Sequence, residues 1–290
     1  MNIRQPLRAG SFYEASASSC RHHANKLLDA AEPGEGLPTA LYGGLVPHAG
    51  WVYSGPLAAR TLKLLDESGP LETIVLLGAD HTGSSTGGEV YDSGVWRTPL
   101  GDASIDEPLA RKLIASHESI RANPQAHTYE HSVEVQVPIL QAIRQDIKIV
   151  PITVAPKDAA PEIGKAIGEV LRQDDRNIRV VGSTDLTHHG GHFGSPGGEG
   201  LVGVEWSADN DRRIIDLITK MADDRIIPEV VARQNACGAG AIAATIAACR
   251  EMGATRGYCL QYTNSYEVMR SMYGESRDYT TVGYAAVVFG

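Results

Sequence analysis

No run in this chain approaches the roughly 20 apolar residues that a bilayer-crossing helix needs, so the sequence gives no support to a membrane-spanning reading. Its opening, MNIRQPLRAGSFYEAS, lacks the apolar core of a signal peptide. Cysteine is sparse: Cys20, Cys237, Cys249 and Cys259 show no CxxC spacing, and four in 290 residues are too few for a disulfide scaffold. Together these absences predict a soluble protein in a reducing, cytoplasmic setting. An excess of positive charge is missing as well. With 26 Lys and Arg against 35 Asp and Glu, the net charge of -9 argues against nucleic acid or an anionic membrane as the main partner. There is no HExxH, Walker A or GxSxG, and GADHTG at 78–83 is not a dinucleotide fingerprint, which leaves zincin, P-loop and α/β-hydrolase readings unsupported. With no internal repeat, linker or low-complexity segment, one compact domain over 1–290 is expected.

What is present is an alternation of short apolar runs with helical patterns. Strands are predicted at 41–46, 73–78, 147–154 and 178–182, with further candidates at 257–262 and 279–289, the last closing the sheet. Helices are predicted at 16–31, from the Ser54, Gly55, Pro56 start signal onward, from Asp106, at 129–143 with a kink at Pro138, and at 161–171, 210–221 and 228–233. The stretch from Cys237, CGAGAIAATIAACREMG, is small and apolar almost all round, which predicts a buried helix. The fold class that follows is α/β: a central mixed, largely parallel sheet flanked by helices. Residues 190–203, GGHFGSPGGEGLVG, are too rich in glycine for regular structure and read either as a loop over a site or as a surface excursion.

Three apolar runs end in polar chemistry: His48 after the first, Asp80 and His81 after the second, and Asp185 with His188 after the fourth. One histidine alone reads most simply as a turn residue. Histidines at several strand ends are different, because parallel strands bring their carboxyl ends to one crevice. Convergent imidazoles with a carboxylate suit a metal site or acid/base chemistry. Cys237, at a helix start, is either a soft ligand or nucleophile favoured by the helix dipole, or a small packing residue. Cys249 and Cys259 fit packing better, and Cys20 beside His22 and His23 reads as solvated surface. Glu130 before His131 either orients that ring or caps a helix.

RAGSFY at 8–13, VPHAGWVYSG at 46–55, LLGADHTG at 76–83, EHSVEVQVP at 130–138, STDLTHHG at 183–190 and CGAGAI at 237–242 together resemble the successive motifs of the Memo family. Its prokaryotic branch is commonly labelled the B component of AmmeMemoRadiSam systems. The family is similar in fold to the catalytic subunits of class III extradiol dioxygenases, single-domain α/β proteins with a non-haem iron site. The resemblance implies metal-ligand positions at His48, His81 and Cys237, with Fe(II) as the expected metal and Cu or Zn as alternatives. It implies catalytic pocket roles for His131, Asp185 and His188. Trp51, Tyr53 and Asp80 are expected on the pocket wall. Thr82 stands where some members carry a second histidine, so a four-ligand site using that position is ruled out.

Three functions follow as expectations. The first is a metal-dependent, oxygenase-like enzyme acting on a small chelating or aromatic substrate, with His188 as base, Asp185 setting its tautomer and His131 as donor. The second is a metal-free enzyme with Cys237 as nucleophile and His188 with Asp185 completing a triad. The third is a non-catalytic metal- or peptide-binding, redox or scaffold protein. A radical S-adenosylmethionine protein of the same system is an expected partner of the first.

Overall fold

The computed structural model describes residues 2–275 and 277–290. The first half runs β1 (Ile3–Arg4), α1 (Ala17–Asp29), β2 (Gly43–Val46), α2 (Trp51–Glu67), β3 (Thr73–Gly78), β4 (Gly88–Val90), β5 (Val95–Thr98), β6 (Gly101–Ser104), α3 (Glu107–Ser116), β7 (Ile120–Ala122) and α4 (Val137–Ile143). The second half runs β8 (Lys148–Val154), α5 (Ala160–Arg172), β9 (Ile178–Ser183), β10 (His188–His189), α6 (Gly200–Thr219), α7 (Asp223–Arg233), α8 (Ala239–Met252), β11 (Gly257–Asn264), α9 (Ser265–Tyr273) and β12 (Thr281–Phe289).

The strands predicted from buried apolar runs form the centre of the main sheet. Its order is β10-β12-β2-β9-β3-β8-β4-β7, with β11 paired to β12. β2, β9, β3 and β8 are mutually parallel neighbours, whereas β4 meets β8 and β12 meets β2 antiparallel. The fold is thus α/β, with a mixed sheet whose centre is parallel and whose faces carry helices. A second, three-stranded sheet, β1-β5-β6, holds the N-terminal strand. No helix among the described residues is long and apolar enough to cross a membrane.

Both faces of β2 are crowded, which explains two glycines in a buried strand. A Cβ at Gly43 would lie 2.6 Å from Sγ of Cys249 on α8, and one at Gly44 would lie 2.6 Å from Cγ2 of Thr61 on α2. Helix α8 also lies against β3, β8 and β9, and its residues from Ala239 to Cys249 are buried, as its apolar composition predicts. On the other face α2 carries α1 and α4 outside it.

Several expectations need correction. α2 starts at Trp51, not at the Ser54–Pro56 signal: the Trp51 N–H donates to the Phe12 carbonyl at 2.8 Å, which supplies the start, and Pro56 falls at an exposed position where water can replace the one missing backbone bond. Pro138 opens α4 rather than kinking it, after a 3-10 turn over Glu134–Gln136. α6 begins at Gly200, ten residues before the predicted start, because its first turn packs on the His189 ring: a Cβ at Gly203 would lie 2.2 Å from Cε1. β12 does not end the sheet, since β11 pairs along it. Cys20 is fully buried on the inner side of α1, not solvated, and Cys259 is exposed on the edge strand β11, not packed.

Candidate metal centre

Parallel pairing in register brings the end of β2 beside the end of β9, Val46 opposite Ser183. Two residues beyond β2, the His48 N–H donates to Oδ1 of Asp185 at 2.7 Å, which locks the two strand extensions together. Asp185 also ties in the third segment: its carbonyl accepts from the Cys237 N–H at 3.1 Å, and its own N–H points at the Cys237 sulfur at 3.2 Å. Gly238 follows because a Cβ there would lie 2.6 Å from the Ser183 carbonyl. Cys237 therefore stands two residues before α8, which begins at Ala239 rather than at Cys237 as the sequence pattern suggested.

The potential ligand atoms of His48, His81 and Cys237 all lie within 4.8 Å of one another. His48 Nε2 is 3.3 Å from Cys237 Sγ, close to the ~3.5 Å edge that metal bonds of 2.0–2.3 Å imply. The tautomers follow from the partners. Ser183 Oγ donates to the Ser132 carbonyl at 2.6 Å, so its lone pair must accept from Nδ1–H of His48 at 2.9 Å, and Nε2 of His48 is the nitrogen left facing the cluster. His81 Nδ1 faces Oε1 of Glu130 at 3.0 Å, so its Nε2 is likewise the nitrogen turned to the cluster. Two imidazoles with fixed outer nitrogens and one thiol form a donor set that fits a late first-row metal.

Glu130 is the largest omission of the sequence reading, which weighed it only as a cap or as the partner of His131. Its carboxylate accepts from the His81 N–H and ring, and from the backbone N–H groups of His131 and Ser132. His131 Nδ1 is 3.8 Å away, outside hydrogen-bonding range. His81, Glu130 and His131 also form a geometrically possible ligand group, but both Glu130 oxygens are already committed to these donors. The only sequence signal for Glu130 was its place directly before a histidine, which pointed to the wrong ring. Glu130→Gln is expected to weaken metal binding about 10- to 100-fold, the usual cost of losing an outer partner. Competition against a chromophoric chelator measures it, and an unchanged affinity would limit Glu130 to organising its loop.

Charges in the metal-free cluster are coupled. Burial disfavours the Cys237 thiolate, but His48 and His81 outweigh it and bring the thiol down to about 6. Burial also opposes charge on His81, and hydrogen bonds to Cys237 and Glu130 overcome it, raising the imidazole to about 10. Metal binding must then displace a proton from His81. Burial pushes His131 down to about 3, helped by the neighbouring His48 and His81, so His131 is a neutral imidazole. Burial raises Asp185 to about 6 against the opposing hydrogen bond from the His48 N–H. Because the thiolate is the reactive form, alkylation of Cys237 by iodoacetamide in metal-free protein is expected to slow as pH falls through about 6. A midpoint near the ordinary 9.0 would contradict stabilisation by the two imidazoles.

The remaining predicted residues are placed unevenly. The His131 ring stacks on His81 with centroids 4.9 Å apart and lies 5.6 Å from His48, inside the cluster. Burial lowers the His188 imidazole and favours its neutral form; among the described residues its Nε2 is buried without a partner, and its ring lies 4.8 Å from Phe193. The Asp185 carboxylate, expected to set the His188 tautomer, is instead bonded to the His48 backbone. Trp51 is not on an open wall: it is 2% exposed, its indole N–H donates to the Val135 carbonyl, and its ring packs on Tyr13. Tyr53 is half-buried against Leu57, Tyr284 and Ala286. The Asp80 carboxylate turns into its own loop, accepting from Thr82 Oγ1 and the N–H groups of Ser84 and Ser85.

The family model described as "Memo-like protein" matches residues 4–288. A MEMO1 family protein of Methanopyrus kandleri is 39% identical over 99% of this chain and 98% of its own length. Similar proteins of Thermococcus kodakarensis and Methanothermobacter thermautotrophicus are each 36% identical, over 99% and 92% of this chain and 99% and 95% of their own lengths. The motifs carrying the sequence resemblance are the segments that build the cluster, and the chain belongs to the Memo family.

Proposed function

We propose that the chain is an Fe(II)-dependent, oxygenase-like enzyme acting on a small chelating substrate. The observation that carries this reading is the pair of imidazoles whose Nδ1 atoms are held by Ser183 and Glu130, which turns both Nε2 atoms toward one thiol at the carboxyl end of a parallel sheet. A bound Fe(II) would supply Lewis-acid and redox chemistry with coordination positions left for substrate and O₂. The protein's own groups would do the rest. His188, neutral and with a buried, unpartnered Nε2, takes the proton of a substrate hydroxyl. Neutral His131, facing the cluster beside His81, donates to developing negative charge. Asp185 keeps the His48 and Cys237 segments together. A thiol ligand needs a reducing compartment, in keeping with a cytoplasmic protein. A radical S-adenosylmethionine protein would act before or after it in the same system.

A Cys-dependent, metal-free enzyme is the second reading, favoured by the 3.3 Å contact of Cys237 with an imidazole. The partner in that pair is His48 rather than His188. Iodoacetamide labelling separates the two. Fe(II) added anaerobically is expected to protect Cys237, and the loaded protein is expected to consume O₂ with a chelating diol. Labelling indifferent to metal would overturn the oxygenase reading in favour of the nucleophile, and O₂ uptake no faster than with free Fe(II) would overturn the oxygenase reading by itself.

A further inference from the structure

The RAGSFY segment supplies no metal ligand, yet it is tied to the cluster from two sides. It closes on itself through Gly10 N–H to the Tyr13 carbonyl and through Ser11 and Phe12 N–H to the Arg8 carbonyl. The Phe12 carbonyl accepts the Trp51 N–H at 2.8 Å, three residues after His48, and the Arg8 N–H donates to Oε1 of Glu134 at 2.7 Å. The Phe12 ring stands edge-on to His131 with centroids 5.3 Å apart, and the Arg8 guanidinium lies over that ring, Cζ 4.8 Å from its centroid. This is also where the cluster opens to solvent: the His81 and His131 side chains are 32% and 15% exposed.

Arg8 shares a buried, unpartnered Nε with Arg60 and Arg179, but of the three it is the one stacked on Phe12 beside the cluster. Arg4, Arg121, Arg144, Arg176 and Arg213 each meet a carboxylate at 2.5–2.8 Å. Among the described residues no side-chain acceptor meets the Arg8 guanidinium, and its Nε is buried without any partner. The two nearby carboxylates are taken. Glu134 accepts from Arg4, Tyr13 Oη and the N–H groups of Leu7 and Arg8, and Glu130 accepts from His81, His131 and Ser132. A half-buried guanidinium, stacked in place beside a metal-ligand cluster and lacking a counter-ion, has the form of a receptor for an anion.

We propose that Arg8 anchors a carboxylate of the substrate, so that the substrate class is a chelating compound carrying a separate carboxylate group. One guanidinium balances one negative charge. A dianionic phosphate would leave charge uncompensated beside the Cys237 thiol and Asp185, so a carboxylate fits better. The chelating half of this statement rests on the metal reading above; the carboxylate half rests on Arg8 alone.

Two arms test it. In Co(II)-loaded protein, titrations followed by the cobalt absorption bands compare catechol with 3,4-dihydroxybenzoate, which present the same diol and differ by one carboxylate. The native protein is expected to bind the carboxylated probe at least tenfold more tightly. Arg8→Met, which keeps an apolar chain over Phe12, should reduce that preference to less than twofold while cobalt loading, the melting curve and catechol affinity stay unchanged. A preference of equal size in both proteins, or none in the native one, overturns the proposal. The second arm uses metal-free protein: benzoate, but not benzyl alcohol, is expected to slow modification of Arg8 by phenylglyoxal, read by mass spectrometry. A protein that takes up no cobalt refutes the metal reading while this arm still decides Arg8, and failure of benzoate to protect it refutes the anchor.

Discussion

His48→Ala and Cys237→Ala are each expected to abolish stoichiometric metal binding while leaving a folded protein. The loss should exceed the roughly 10- to 100-fold that removal of an outer partner costs, because a bond to the metal itself is gone. The fold should survive because two of the three bonds that tie these segments together, to the N–H groups of residues 48 and 237, do not use the replaced side chains. Asp185 holds position 48 through its N–H and position 237 through its own carbonyl, and neither bond involves the replaced side chain. Removing the His48 ring frees Ser183 Oγ, which keeps its bond to the Ser132 carbonyl, so no buried donor is stranded. Metal analysis after anaerobic loading and a thermal melt check the two halves. A fully metallated His48→Ala protein would return His48 to the role of a turn residue.

Glu134→Ala should give the largest loss of stability, about 3–5 kcal/mol, the usual cost of stripping one partner from a buried ion pair. Glu134 is 1% exposed and holds the 5%-exposed Arg4 side chain at 2.8 Å. It also accepts from Tyr13 Oη and from the N–H groups of Leu7 and Arg8, so one substitution leaves a buried cation and several donors without an acceptor. Among the described residues Arg4 is otherwise satisfied only by the carbonyls of Gln5, His127 and Glu130 and by the face of Trp96, which do not neutralise its charge. Tyr13→Phe removes a single hydrogen bond and should cost only about 1 kcal/mol. Chemical denaturation measures both; similar losses for the two variants would mean that the ion pair contributes little. Because Glu134 also fixes the backbone of Arg8, the Ala variant should loosen the mouth of the cluster as well.

The strands that deliver His48, His81 and Asp185 were legible because their apolar runs are buried on both faces and stop where the polar residues begin. Cys237 was legible for a related reason, since the helix behind it is apolar all round. What stayed hidden depends on partners far apart in sequence. Glu130 reaches back 49 residues to His81, and Ser183 reaches 135 residues to His48. No local pattern marks either pairing. The start of α2 was misplaced because its first N–H is satisfied by Phe12, a tertiary contact, while Pro56 gave a local signal that the fold tolerates inside the helix. Trp51 looked like a pocket residue from its closeness to His48, but a helix beginning at that position turns its side chain inward. Cys20 and Cys259 were exchanged in burial because neither the first helix nor the edge strand has a strongly patterned apolar face.

The central claim is that His48, His81 and Cys237 hold one metal ion. X-ray absorption at the metal edge of anaerobically loaded protein tests it most directly. One sulfur scatterer at about 2.3 Å with two imidazole nitrogens, and loss of the sulfur alone in Cys237→Ala, is the expected result. A loaded metal with only nitrogen and oxygen neighbours, or a protein that takes up no stoichiometric metal, would contradict it.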